Sequence, residues 1–275
     1  MRSHWLLFST IPLLLASAAD AVQARVNRLI SILETGAPAI GIYAGATGAP
    51  RIAKVLATSD LDFIVADVEH EVYDFPTLRS FFLGIEDFSR RYRTEPREAP
   101  TVLVKLAHRA GWDPRYEIAE TLKVGPAMGV WIPFVESGKD LELAISAVRR
   151  AETSGLGGIN IPREKREPWP LDPAGELFVV AMIESARGVE NAGEIIATPG
   201  LGAIEPVHLS EEDTARIVEL CMEKGVFLAT EAAPEDVAAR VEQGFRLIHL
   251  GWDFNLLRQE LDGRISRTRE ILKKR

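Results

Sequence analysis

The sequence predicts a (β/α)8 TIM barrel, an α/β fold, built as a single domain over residues 25–275. Three observations predict it. Strand-like and helix-like segments alternate from Asn27 to the end of the chain. The strand-like segments are apolar at nearly every position, the pattern of a parallel sheet covered by helices. Eight such units fit into about 250 residues, the usual size of a closed barrel. An open doubly wound sheet is the alternative, but no Gly-rich dinucleotide fingerprint follows the first strand.

The elements follow in order. Ala39–Gly45 reads as the first strand and Arg51–Thr58 as its helix. Asp62–Asp67 is the second strand, followed by a helix near Phe75–Phe88. Thr101–Ala107 precedes a helix over Tyr116–Lys123, and Gly129–Val135 precedes one over Lys139–Thr153. The apolar run from Phe178 delivers Glu184 at its end, before a helix over Gly188–Ile196. Gly202–His208 is the sixth strand with its proline turn, followed by a helix over Ser210–Lys224. Val226–Thr230 and Arg246–Gly251 close the set, with a helix over Pro234–Gln243 between them and a charged helix over Phe254–Lys273 after them. The Gly-, Pro- and charge-rich stretch Gly155–Pro173 is expected to be a long loop on the active face, with Trp169 anchoring it.

Hydrophobic residues make up 47% and charged residues 26% of the chain, an ordinary globular balance. A net charge of −8 gives no basic bias toward nucleic acid or anionic lipid. A single cysteine, Cys221, excludes an internal disulfide. Residues 1–24 stand apart: Arg2 and His4 precede an apolar run from Trp5, interrupted by Pro12, with small residues at Ala19–Ala21 and Val22–Ala24. That arrangement predicts a secretory signal peptide and a periplasmic or secreted protein with no membrane segment after cleavage. An uncleaved helix or a different start codon is the alternative, with a cytoplasmic protein.

In such a barrel chemistry lies where strands end. Those positions here carry Tyr43; Asp67, Glu69 and His70; Lys105, then His108, Arg109 and Asp113; Trp131; Glu184 and Arg187; Glu205 and His208; Thr230 and Glu231; and His249, Trp252 and Asp253. Glu184 with Glu205 or His208 could hold a divalent metal with open positions for a substrate. A capped strand end and a surface histidine are the plainer reading of the same residues. Asp67 three residues before His70 could fix the imidazole tautomer for general acid/base work, or form a structural salt bridge. Lys105 could bind a carboxylate or oxyanion, or be a lysine whose stem covers apolar surface.

These residues, in this order, resemble the HpcH/HpaI aldolase/citrate lyase family. The resemblance runs from Asn27 to about residue 262 and rests on Asp62-Phe-Ile-Val-Ala-Asp67-Val-Glu69-His70, Asp113-Pro114, Trp131 to Ser137, Met182-Ile-Glu184-Ser185 and Pro206-Val-His208-Leu-Ser210. It implies a class II lyase that stabilises the enolate of a pyruvate-type 2-keto acid with a divalent metal ion (Mn, Co, Zn or Mg). By resemblance Glu184 is a metal ligand, His70 the acid/base and Asp67 its orienter. Asp113 completes a neighbouring subunit's site, and the protein is a homo-oligomer that exchanges its C-terminal helix. A small-molecule 2-keto acid and an aldehyde are the implied partners. Tyr43, Arg109, Asp113 and Trp131 are the substrate-binding candidates. The pattern departs at several places: His208 stands at the second metal position, Glu205 at a preceding glycine, Lys105 at an arginine that Arg109 could replace, the glycine loop that carries an arginine in many members reads Gly155-Leu156-Gly157, and the segment after Ser210 is shorter than usual. These departures keep two alternatives open, a diverged lyase with a non-pyruvate substrate and a non-catalytic protein that binds a small acid.

Overall fold

The computed structural model describes residues 25–45, 50–71, 74–92, 99–107, 113–151, 161 and 163–273. The expected signal peptide, Arg109 and all of residues 155–160 lie outside the described residues. The strands are β1 (Ala39–Ala44), β2 (Phe63–Asp67), β3 (Thr101–Lys105), β4 (Ala127–Ile132), β5 (Pro168–Trp169), β6 (Leu177–Ile183), β7 (Ala203–Pro206), β8 (Phe227–Glu231) and β9 (Leu247–Trp252). All pairings are parallel, and β4 bonds to β6 while β1 bonds to β9, so eight strands close a ring. The chain is therefore a (β/α)8 barrel.

β5 is the unexpected strand. Pro168 and Trp169 pair with Leu177 and Phe178, the first residues of β6, so this segment lies at the base of the barrel. The expectation of an active-face loop is corrected for this part: it joins a helix to the start of a strand, and such connections run at the end opposite the site. Trp169 is indeed an anchor, stacked on Phe178 at 5.9 Å and Phe227 at 5.7 Å.

The described helices are α1 (Arg28–Leu33), α2 (Pro50–Thr58), α3 (Phe75–Tyr92), α4 (Arg115–Val124), α5 (Gly138–Arg150), α6 (Ala186–Glu190), α7 (Ala192–Ile196), α8 (Glu211–Lys224), α9 (Val237–Glu242) and α10 (Asp253–Lys273). The helix expected over Gly188–Ile196 is two short ones, broken at Asn191, whose side-chain amide donates to the Glu136 carbonyl at 2.7 Å. Ser137, Ser185 and Ser210 each accept a backbone N–H three residues on, the hydroxyl caps that start α5, α6 and α8.

Strand alternation sorts the side chains into two cores. Ile42, Ile64, Ala66, Val104 and Val130 face outward into the layer shared with the helices. Tyr43, Phe63, Val65, Leu103, Trp131, Phe178, Val180 and Met182 fill the barrel interior. Leu29, Ile30 and Leu33 of α1 join that interior group. The rings of Phe63 and Phe178 need room: a Cβ on Gly41 would lie 2.3 Å from Phe63, and one on Gly202 would lie 2.5 Å from Phe178. Burying each such ring contributes roughly 1.5–3 kcal/mol.

Candidate active site

The site is built from the C-terminal ends of β2, β3, β6, β7 and β9, with β1 below them. At the end of β2 the chain turns back on Asp67, whose Oδ1 accepts the backbone N–H groups of Glu69 (2.8 Å) and His70 (2.9 Å). This turn brings His70 Nδ1 to 3.1 Å from Asp67 Oδ2. Asp67 is fully buried, whereas the His70 side chain is 54% exposed. An ionised aspartate only accepts, so in this contact a neutral His70 would carry its proton on Nδ1 and leave Nε2 unprotonated.

Lys105 is the register partner of Asp67 on β3. Its ammonium is buried, 2.8 Å from Glu69 Oε2, 3.8 Å from Asp67 Oδ2 and 5.5 Å from the centre of the Tyr43 ring. Trp252, at the end of β9, stacks on Tyr43 at 5.4 Å and meets His70 edge-on at 5.3 Å.

Glu184 follows the last residue of β6 and precedes Ser185, the cap of α6. It is half-buried and forms no hydrogen bond or ion pair with a described residue. Burial pushes its carboxyl up to about 7. Lys105 and His70 act against that rise, and the charges of Glu69 and Glu205 add to it. Glu184 thus shares the mouth with His70, Lys105 and Glu69.

Glu205 is differently placed. It is buried on β7, and its oxygens accept from Tyr43 Oη (3.0 Å), the Trp131 indole N–H (2.9 Å) and His249 Nε2 (2.7 Å). Burial pushes this carboxyl up, but His249, Trp131 and Tyr43 together outweigh it and hold it below the usual range. Trp131 and Tyr43, both substrate-binding candidates, are buried, and each spends its polar atom on Glu205.

His208 forms no hydrogen bond or ion pair with Glu184. Its neighbour Val207 packs against the barrel interior, and His208 itself takes a left-handed backbone (φ 54°). It lines a cavity of about 680 Å³ bounded by α8, α9 and Thr230 of β8. Asp113 is exposed and gripped by Arg115, which holds its carboxyl down at about 2.

Among the described residues, no three His, Cys, Asp or Glu side chains converge as a metal cage. The donor chemistry at Glu184 suits a hard divalent ion held by one carboxylate and its own waters. Three side chains of the site had no assigned role in the sequence: Glu69, His249 and Trp252. Period-two alternation along β9 would have flagged His249 as inward-facing, two residues after Leu247.

A model of the HpcH/HpaI aldolase/citrate lyase family matches residues 40–216. The chain belongs to this family. It is similar to a hydroxypyruvate/pyruvate aldolase of Delftia acidovorans, with 26% identity over 90% of this chain and 94% of that one. It is also similar to a hydroxypyruvate/pyruvate aldolase of Chromohalobacter salexigens, with 28% identity over 82% and 92%. An HpcH/HpaI family structure from Burkholderia cenocepacia shares the fold with a TM-score of 0.69 and 21% identity, covering 88% of this chain and 99% of that one. As a family member, the chain is a lyase of the aldolase type.

Proposed function

We propose that the protein is a class II aldolase that makes or breaks the carbon–carbon bond beside the carbonyl of a pyruvate-type 2-keto acid, with an aldehyde as the second component. The observation that carries this reading is Glu184: a half-buried carboxylate with no partner among the described residues, opposite an imidazole oriented by Asp67. A divalent ion bound at Glu184 would supply Lewis-acid stabilisation of the charge that develops on the keto acid's oxygen. Mn²⁺ and Mg²⁺ suit a carboxylate donor best.

In the cleavage direction, His70 Nε2 takes the proton of the substrate's 4-hydroxyl. The bond between C3 and C4 breaks, its electron pair passes toward the keto carbonyl, and the aldehyde leaves. A proton delivered to C3 completes pyruvate. Asp67 holds the imidazole in the tautomer this needs. Lys105, buried beside the mouth, provides a fixed positive charge for the keto acid. It does so as a point charge, without the two-pronged grip of an arginine.

The relatives named as pyruvate aldolases support the substrate class. His208, which by resemblance stands at the family's second ligand position, makes no bond to Glu184, and this favours a second reading, a lyase of the same barrel with a non-pyruvate substrate. The test is release of pyruvate from a 4-hydroxy-2-keto acid, its loss on chelation and its return with Mn²⁺. Unchanged turnover in rigorously metal-free protein rejects the class II assignment.

We also propose a homo-oligomer. α10 exposes Leu257 (63%), Leu261 (49%) and Ile265 (45%) at four-residue spacing, one apolar stripe on one helix. Export rests on residues 1–24 and predicts a processed N-terminus near Arg25 in secreted material.

A further inference from the structure

Glu205 differs from Glu184 in what its oxygens already do. Oε2 accepts from the Tyr43 hydroxyl at 3.0 Å and from the Trp131 indole at 2.9 Å, and Oε1 accepts from His249 at 2.7 Å. Tyr43, Trp131, His249 and Glu205 are each no more than 4% exposed. An indole N–H can only donate, so the direction of the Trp131 bond is fixed. An ionised carboxylate can only accept, so His249 carries a proton on Nε2. Its Nδ1 is then left buried with no partner among the described residues. Donors occupy both oxygens, so a turn of the carboxylate upward would break bonds to Tyr43, Trp131 and His249.

The cage also fixes what lies above it. Tyr43 stands at the centre of an aromatic cluster, edge-on to His249 at 4.6 Å and to Trp131 at 5.8 Å, and stacked with Trp252 at 5.4 Å. The Lys105 ammonium sits 5.5 Å from the Tyr43 ring centre. A ring held by its own hydroxyl bond presents a constant face to that cation.

We infer that Glu205 and His249 are positioning residues: the buried pair locks Tyr43 and Trp131 as a floor beneath Lys105, and Glu205 is not a ligand of the ion at Glu184. The inference rests on the proposed function only for that ion and for the role of Lys105. From the sequence, Glu205 and His208 compete for the second ligand position. The cage removes Glu205 from that competition and gives it a different task.

The floor is tested with protein labelled with ¹⁵N at tryptophan, the Trp131 indole signal being assigned by Trp131→Phe. The expected signal is downfield and slow to exchange with D₂O. His249→Leu shifts it and speeds its exchange. His249→Gln, whose amide can still donate to Oε1, restores it. A Trp131 signal identical in wild type and His249→Leu overturns the floor. The ligand claim is tested by Mn²⁺ titration followed by electron paramagnetic resonance. Glu184→Gln weakens Mn²⁺ binding roughly 100-fold, and Glu205→Gln weakens it less than about tenfold. Equal losses in the two variants overturn the inference and leave the proposed function standing. If Glu184→Gln binds Mn²⁺ like wild type, or if the wild type binds none, the proposed function fails, and the indole signal alone decides the floor.

Discussion

Asp67→Asn is the sharpest perturbation of the acid/base unit. The asparagine has the same shape, and its carbonyl can still accept the N–H groups of Glu69 and His70, bonds of 2.8 and 2.9 Å in the wild type. The change falls at the other oxygen. An amide NH₂ placed 3.1 Å from His70 Nδ1 can only donate, so Nδ1 must become the acceptor and the proton moves to Nε2. The imidazole then faces the substrate with a proton where it needs a lone pair. Losing a positioned general base costs about 10² to 10⁴ in rate. Stability falls less, by about 1.5–3 kcal/mol for one charge-assisted bond. Lys105 keeps its ion pair with Glu69 at 2.8 Å, so its charge does not become uncompensated. The assay is kcat/KM on the aldol substrate, with urea unfolding of the same samples. His70→Ala should lose nearly as much, and the double variant little more, because the two residues act as one unit. Turnover of Asp67→Asn within about threefold of wild type would refute the assignment of His70 as a base held by Asp67.

Further outcomes follow from the packing and from a buried acid on α4. Gly41→Val forces a side chain to within 2.3 Å of the Phe63 ring inside a closed wall, and should lower stability by at least about 1–3 kcal/mol in chemical denaturation. Phe63→Ala should cost about 3–5 kcal/mol by the same measurement. Glu117 is buried on α4, accepts the Ala107 N–H at 2.5 Å and has its carboxyl pushed by burial from 4.5 to about 7. Between those values the unfolded chain has released a proton that the folded chain retains, so this residue makes stability fall as pH rises from 4.5 to 7. Glu117→Gln should flatten that part of the curve, read as urea midpoints at pH 5 and pH 7.5; an unchanged slope contradicts the burial argument. Removing α10 residues beyond Leu256 should convert an oligomer to monomers in light scattering, and an unchanged mass would place the interface elsewhere.

The barrel was legible because its wall is written in residues that have no other use. Runs such as Phe63-Ile-Val-Ala-Asp67 are buried on both faces, so they are apolar throughout and end on a polar residue where the wall ends. Glu184 was legible for the same reason, as a carboxylate placed directly after seven buried apolar residues. Asp67 and His70 are three positions apart, and a short turn was enough to predict their contact. What escaped depended on register between distant strands. Glu205 and His249 are 44 residues apart, and nothing local indicates that β7 and β9 aim them at the same point. His208 takes a left-handed backbone although it is not glycine, which local patterning argues against. β5 escaped because a two-residue strand beginning with proline has no periodicity to read.

Everything proposed for this site depends on the Glu184 carboxylate receiving a divalent ion in the barrel mouth. Crystals grown with Mn²⁺ and measured above the manganese absorption edge test it most directly. An anomalous peak is expected at bonding distance from a Glu184 oxygen, on the side facing His70 and Lys105. A peak in the cavity beside His208, or none near Glu184 at saturating Mn²⁺, contradicts it.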